Sequence, residues 1–185
     1  VWLTVAPVVG AATLGLRRRA DAARRALTEL ARTDALTGCM NRHGLHEVAA
    51  RELARIRRMG SPMTVALLDL DHFKRFNDTS SHDAGDGLLR DAAAVWQQAL
   101  REVDVLARWG GEEFVVLFPD TTPDVAALIL DRPRMGTPLG QTCSVGVASI
   151  ERAAEGDGLV DAIRRADSAL YEAKGTGRGR IVVAD

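Results

Sequence analysis

Only two of the 185 residues are cysteine, Cys39 and Cys143, and neither has a second thiol nearby in the chain. That spacing excludes a CxxC metal clip and a disulfide scaffold. It leaves two buried, unpaired thiols, the usual role of a free cysteine, and suits a reducing compartment such as the cytoplasm. Net charge is nearly missing too, since 24 Lys and Arg face 25 Asp and Glu. The balance gives no reason to expect nucleic acid as a partner, and any anion site must be local. There is no internal repeat and no low-complexity tract, which excludes a repeat architecture. What remains is a chain with 46% hydrophobic residues, enough to bury one substantial core. A single catalytic domain with an N-terminal appendage is the natural reading.

An initiator Met is also lacking, and Val1 to Leu16 carry no charge before running into Arg17, Arg18 and Arg19. The end of a transmembrane helix accounts for both facts, because about twenty apolar residues cross a bilayer and clustered arginines mark its cytoplasmic side. The expectation is a cytoplasmic domain anchored to the bacterial inner membrane through residues 1–16. A signal-peptide remnant is disfavoured because the charges follow the apolar run, and a buried core helix is the other alternative. Residues 17–33, rich in Ala, Arg, Leu and Glu without internal Gly or Pro, read as a charged linker helix that carries a signal or sets dimer geometry. The catalytic domain then spans 34–185.

Within it, Thr33 to Leu45 reads as a capped turn entering a helix that runs through Arg58 and stops at Gly60-Ser61-Pro62. Met63 to Leu70 is a short apolar run typical of a buried central strand, with Asp69 and Asp71 at its C-terminal end. A core helix follows over Gly85–Arg101. Val103–Trp109 and Glu113–Phe118 form a β-hairpin with Gly110, Gly111 and Glu112 at its tip. Asp124 to Arg132 is helical until Pro133, Cys143–Ile150 is a strand, Leu159–Lys174 is an amphipathic helix, and Arg180–Val183 supplies a last strand. Strands joined by both hairpins and helices indicate an α+β domain with a mostly antiparallel central sheet flanked by helices.

The chemistry concentrates at two predicted strand ends. At Gly110-Gly111-Glu112-Glu113-Phe114 the glycines permit positive φ and close approach of a ligand. Adjacent carboxylates are costly there unless they are solvated or face a cation. A solvated hairpin tip is the bland explanation. A second acidic cluster, Asp69 and Asp71, makes a hard oxygen site for Mg²⁺ the sharper one, of the kind that phosphoryl transfer requires.

Arg-Trp-Gly-Gly-Glu-Glu-Phe at 108–114 resembles the signature hairpin of the GGDEF family of diguanylate cyclases in its active GGEEF form, and four further stretches agree in order and spacing. Asp34-Ala-Leu-Thr-Gly-Cys-Met-Asn-Arg42 is similar to the family's DxLTGLxNR opening, and Asp69-Leu-Asp-His-Phe-Lys-Arg-Phe-Asn-Asp78 to its DxDxFKxxND strand and turn. His82-Asp-Ala-Gly-Asp86 is similar to HxxGD, and Ala166–Lys174 with Gly177-Arg178 to ADxALYxAKxxGR. The resemblance covers Asp34 to about Val183.

It implies a palm-like fold of the ferredoxin-like, nucleotidyl cyclase kind, and a homodimer that condenses two GTP into cyclic di-GMP with Mg²⁺ as cofactor and Mn²⁺ as an alternative. By that resemblance Asp69 and Glu112 bind the metal through carboxylates and Leu70 through its carbonyl. Asn77 and Asp86 read guanine, with His82 ordering the turn or lying beside the base. Lys74, Lys174 and Arg178 hold the triphosphate, helped by backbone N–H groups around His72 and Phe73. Glu112 and Glu113 are candidates to assist deprotonation of the 3′-hydroxyl; family analogy favours Glu112, although a metal-bound carboxylate is a poor free base. Arg101-Glu-Val-Asp104, five residues before Gly110, resembles the family's RxxD inhibitory product site, an exposed ion pair being the alternative. The competing readings elsewhere are surface cations for Lys74, Arg75 and Lys174 and turn formers for Asn77 and Asp78. His43 and His46 lack metal-ligand spacing. Tyr171 and Trp109 are expected to pack in the core or at the hairpin base.

Two departures stand out. Ser81 replaces the Gly that usually precedes His82, and only about ten residues separate Pro133 from Cys143, so a trimmed periphery is expected there.

Overall fold

The computed structural model describes residues 32–150 and 158–184. The membrane segment expected over 1–16 and residues 17–31 of the linker helix expected over 17–33 lie outside the described residues, and the last two linker residues form a turn and an isolated bridge rather than helix; among the described residues, no helix is long and apolar enough to cross a membrane. In chain order the elements are β1 (Met40–Asn41), α1 (Arg42–Met59), β2 (Met63–Leu70), α2 (Phe73–Thr79) and α3 (His82–Ala99). There follow β3 (Val105–Gly110), β4 (Glu113–Pro119), α4 (Pro123–Met135), a 3₁₀ turn (Pro138–Gly140), β5 (Cys143–Ser149), α5 (Gly158–Gly175) and β6 (Ile181–Val183).

One six-stranded sheet, ordered β1-β3-β4-β2-β5-β6, carries the domain. Pairings β2–β4, β2–β5 and β3–β4 are antiparallel, and the edge pairings β1–β3 and β5–β6 are parallel. The α+β expectation with a mostly antiparallel sheet stands. Every residue of β2 is buried, as a strand covered on both faces requires. Its side chains alternate between two apolar layers. Ala66, Leu68 and Leu70 join Trp96, Leu88 and Leu130 under α3 and α4. Val65 and Leu67 join Leu45, Ile56, Ala162 and Leu170 under α1 and α5. Both cysteines are free and buried, and burial pushes both thiols up, Cys143 most strongly.

Several elements differ from the sequence reading. The 33–45 segment makes a turn and the two-residue strand β1 before the helix begins at Arg42, where Asn41 caps it by accepting from Gly44 N at 2.9 Å. Residues 73–79, read as part of a turn, form α2. Helix α3 starts at His82 rather than Gly85, because the Ser81 hydroxyl accepts from Ala84 N at 3.1 Å. The unusual serine is thus an N-cap. Helix α4 also continues past Pro133 to Met135, with Pro133 buried in its last turn. A proline there forfeits one backbone bond near a fraying end, a smaller loss than exposing its buried ring.

Candidate active site

The site forms where β2 ends, between the β3–β4 hairpin and the C-terminal end of α5. Asp69 lies directly opposite Glu113 on β4 and Ser144 on β5, so the two carboxylates share the face that α5 covers. The helix comes down onto the sheet at Gly146, where a Cβ would stand 1.9 Å from the Ala166 carbonyl oxygen. That close approach brings Lys174, one turn beyond Leu170, to the sheet, and its Nζ pairs with the Asp69 carboxylate at 2.8 Å. Lys174 is therefore not an ordinary surface cation.

The hairpin turns through Gly111, at φ 53°, and Glu112. Leu70 N–H points at the Glu112 carbonyl at 3.5 Å, which places the end of β2 against the hairpin tip. Burial pushes the Asp69 carboxyl above the usual range; the Lys174 pair opposes this without cancelling it, and the charges of Glu112 and Asp71 add to the rise. Glu113 is also raised, first by burial and then by the Asp69 charge. Like charges facing each other across a sheet are destabilising. Asp69 and Glu113 thus share the charge of one ammonium, with the Glu112 charge close to both, an excess of negative charge that a divalent cation would relieve. Carboxylate oxygens are the kind of hard donor that Mg²⁺ takes.

Asp71 does not join that set. Its Oδ1 accepts from the Ser144 hydroxyl at 2.7 Å, and its Oδ2 from the Thr142 hydroxyl at 2.6 Å and Gly179 N at 3.0 Å. Asp71 lies one residue past the end of β2, outside the alternation of the strand, and its carboxylate is consumed in bracing β5 and the C-terminal loop. The sequence reading missed this brace, whose partners lie more than seventy positions away.

On the other side of β2, α2 and the first turns of α3 carry the expected nucleotide-binding residues. His72 takes the left-handed conformation at φ 58°, Phe73 is buried, and Lys74 is exposed. Asn77 Oδ1 is buried without a hydrogen-bond partner. A buried amide oxygen left unpaired is costly, and a ligand N–H would satisfy it. Gly85 makes room for this amide, since a Cβ there would fall 1.8 Å from Asn77 Oδ1. Asp86 and His82 are exposed on α3. Arg178 is exposed at φ 60°, just past α5.

Arg101 and Asp104 are brought together, but not as an exposed pair. The Asp104 side chain is 0% exposed and takes Arg101 Nη2 at 2.6 Å and Arg101 N at 3.0 Å, while Nη2 also donates to Thr121 Oγ1 at 2.7 Å. Tyr171 corrects another expectation, for it is 81% exposed on the outer face of α5. Trp109 does pack at the hairpin base, at the irregularity between Arg108 and Gly110, with the Arg42 guanidinium 4.1 Å from its ring centre. His43 reaches Glu47 at 3.2 Å and His46 lies against Trp109. Among the described residues no group of three or more His, Cys, Asp and Glu is drawn together in metal-binding geometry.

Residues 31–180 match the family described as diguanylate cyclase, GGDEF domain. The diguanylate cyclase DgcP of Pseudomonas aeruginosa is 43% identical over 162 residues, covering 82% of this chain and 24% of that protein. The response regulator PleD of Caulobacter vibrioides is 40% identical over 166 residues, covering 83% of this chain and 36% of that protein. The chain thus spans about a quarter to a third of the length of these curated relatives. A crystal structure of the coiled coil and GGDEF domain of DgcB from Caulobacter crescentus, in complex with c-di-GMP, superposes with a TM-score of 0.85. It is 29% identical and covers 98% of this chain and 100% of that one.

Proposed function

Since the chain belongs to the GGDEF family of diguanylate cyclases, we propose that it condenses two GTP into cyclic di-GMP, releasing two pyrophosphates. The observation that carries this is the gathering of the Asp69, Glu112 and Glu113 charges at the hairpin tip, where Lys174 pairs with Asp69. In each half-reaction the 3′-hydroxyl oxygen of one GTP bonds to the α-phosphorus of the other, the bond to pyrophosphate breaks, and the hydroxyl proton leaves to a base. One site is built for one GTP, so two copies of the chain must face each other for each hydroxyl to reach the opposite phosphorus.

In this reading Asp69, Glu112 and the Leu70 carbonyl would hold Mg²⁺, or Mn²⁺ in its place, which when bound supplies positive charge to the phosphates. Lys174 and Arg178, with Lys74 and the backbone around His72 and Phe73, bind the triphosphate. The unpaired Asn77 amide and the nearby Asp86 carboxylate bind guanine, which presents N–H donors where adenine does not, with His82 alongside. Glu113, left outside the proposed metal set and raised by burial, would take the proton, with Glu112 the other candidate. Arg101 and Asp104 bind the product as inhibitor. Residues 1–16 anchor the domain at the inner membrane, and 17–33 set the encounter of the two copies.

The test is incubation of the purified chain with Mg²⁺ and either GTP or ATP, with chromatographic detection of cyclic dinucleotide. Cyclic di-GMP from GTP alone is expected, with a specific rate that falls on dilution through dimer dissociation, and loss of synthesis in Glu112→Gln with the fold retained. GTP binding without turnover would mark the domain as a receptor, and turnover of ATP would overturn the guanine assignment.

A further inference from the structure

The loop that follows α5 holds an unusual backbone. Gly177, Arg178 and Gly179 take positive φ in succession, at 122°, 60° and 56°. Two are glycines, but Arg178 pays a steric penalty in this conformation, and such strain persists only where the surroundings over-determine it. The surroundings here grip the Gly179 peptide at both ends. Its N–H is shared between Asp71 Oδ2 at 3.0 Å and Ser144 Oγ at 3.2 Å. Its carbonyl accepts from Arg134 Nη1 at 2.6 Å, and Arg134 is itself oriented by Asp131, with Nη2 to Oδ1 at 2.6 Å. Arg178 N–H closes the other side by donating to the Ala173 carbonyl at 3.0 Å. Arg134 can reach the loop because α4 continues through Pro133 instead of ending there.

We propose that Asp71 and Arg134 are positioning residues for the triphosphate end of the site: together they clamp the backbone on either side of Gly179 and so fix the backbone of Arg178, just past the helix end that carries Lys174. Neither touches the crowded carboxylates through a hydrogen bond. Asp71 acts from the end of β2, where an acceptor-only group can collect the Thr142, Ser144 and Gly179 donors at once. Arg134 acts from α4, on the far side of the loop. A preset guanidinium meets the phosphates without losing the freedom of a mobile loop, so the clamp contributes to ground-state binding of GTP rather than to the chemical step.

The inference rests on the proposed use of GTP, and its test has one arm that does not. In the full 185-residue chain, Arg134→Ala is expected to raise KM for GTP about tenfold while kcat stays within about threefold, and Arg134→Lys, which keeps a donor, to recover most of the loss. In an Arg178→Ala background the same Arg134→Ala change is expected to add nothing, because the residue it positions is gone. Independently of turnover, the Gly179 amide is expected to exchange hydrogen at least tenfold faster in Arg134→Ala than in wild type at unchanged melting temperature. A wild-type chain that makes no cyclic di-GMP removes the proposed function and leaves the clamp to be judged on exchange. Unchanged Gly179 exchange, an unchanged KM, or an Arg134→Ala effect that persists in full without Arg178 overturns the clamp.

Discussion

Arg108 and Asp34, 74 positions apart, meet through one guanidinium: Nη1 donates to Asp34 Oδ1 at 3.1 Å, while Nε and Nη2 both donate to the Gly111 carbonyl, at 3.0 and 2.8 Å. Asp34 is held in turn by the Thr37 backbone N–H and hydroxyl, at 2.9 and 2.8 Å. The opening turn of the domain and the tip of the hairpin are therefore one unit. The left-handed Gly111 next to Glu112 is braced from the entry of the chain.

Arg108→Lys is expected to lower cyclic di-GMP synthesis by at least tenfold while costing about 1 kcal/mol of stability. An ammonium cannot donate to Gly111 and Asp34 in the planar fork that the geometry requires. Initial rates at saturating GTP, compared with a denaturant melt, check this; native turnover in the lysine variant would show that the brace is irrelevant to the hairpin.

The same pair sets a pH dependence. Burial pushes the Asp34 carboxyl up, but hydrogen bonds from Thr37 and the charge and hydrogen bonds of Arg108 outweigh it and hold the group below its ordinary value. A lowered carboxylate contributes stability above its unfolded pKa of about 3.9, and loses it as pH falls through the lower folded value. Asp34→Asn is expected to destabilise by about 1 kcal/mol at pH 7, with the gap to wild type closing as pH falls below the unfolded value of about 3.9. Denaturant melts across this range measure it, and a gap independent of pH would show that the carboxylate's charge contributes nothing.

Gly85→Ala is expected to raise KM for GTP by tenfold or more with the secondary structure intact. The added methyl carbon falls 1.8 Å from Asn77 Oδ1, so the amide must turn from the position in which its oxygen stands unpaired. GTP titration and circular dichroism together decide the point. An unaltered KM would exclude Asn77 from base recognition.

Arg101→Ala is expected to relieve inhibition by added cyclic di-GMP without reducing the initial rate. Because the Asp104 side chain is 0% exposed and paired with this arginine, the variant is also expected to lose about 1–2 kcal/mol of stability. Progress curves at matched enzyme and GTP, with a melt of each protein, separate the two effects. Equal inhibition of both proteins would leave Arg101 as a structural partner of Asp104 alone.

Strand β2 was legible because eight consecutive buried residues bounded by Pro62 and Asp71 leave few alternatives. The hairpin was legible because glycines at its tip separate two apolar runs. Helix α2 was not, since seven residues carry too little periodicity to declare themselves, and its existence depends on packing Phe73 into the core under α3. Pro133 misled for a related reason. Local propensity ends a helix at proline, whereas burial of the ring and the hold of Arg134 on Gly179 keep this one going for a further turn.

Among the site residues, the amino-acid sequence by itself determined the kinds of group available: the carboxylates at two strand ends, the lysine in the last turn of a helix and the arginine just past it, and the amide near a glycine. Those follow from motif spacing along the chain, which is local information. Only the tertiary structure decided which groups act together. Sheet register set Asp69 against Glu113, while Asp71, only two residues on, is taken up by other partners. Side chains alternate faces only while a strand lasts, and β2 ends at Leu70, so the direction of Asp71 is settled by the donors of Thr142, Ser144 and Gly179. Those donors come from β5 and the C-terminal loop, and contacts of such long separation exist only once the sheet has closed.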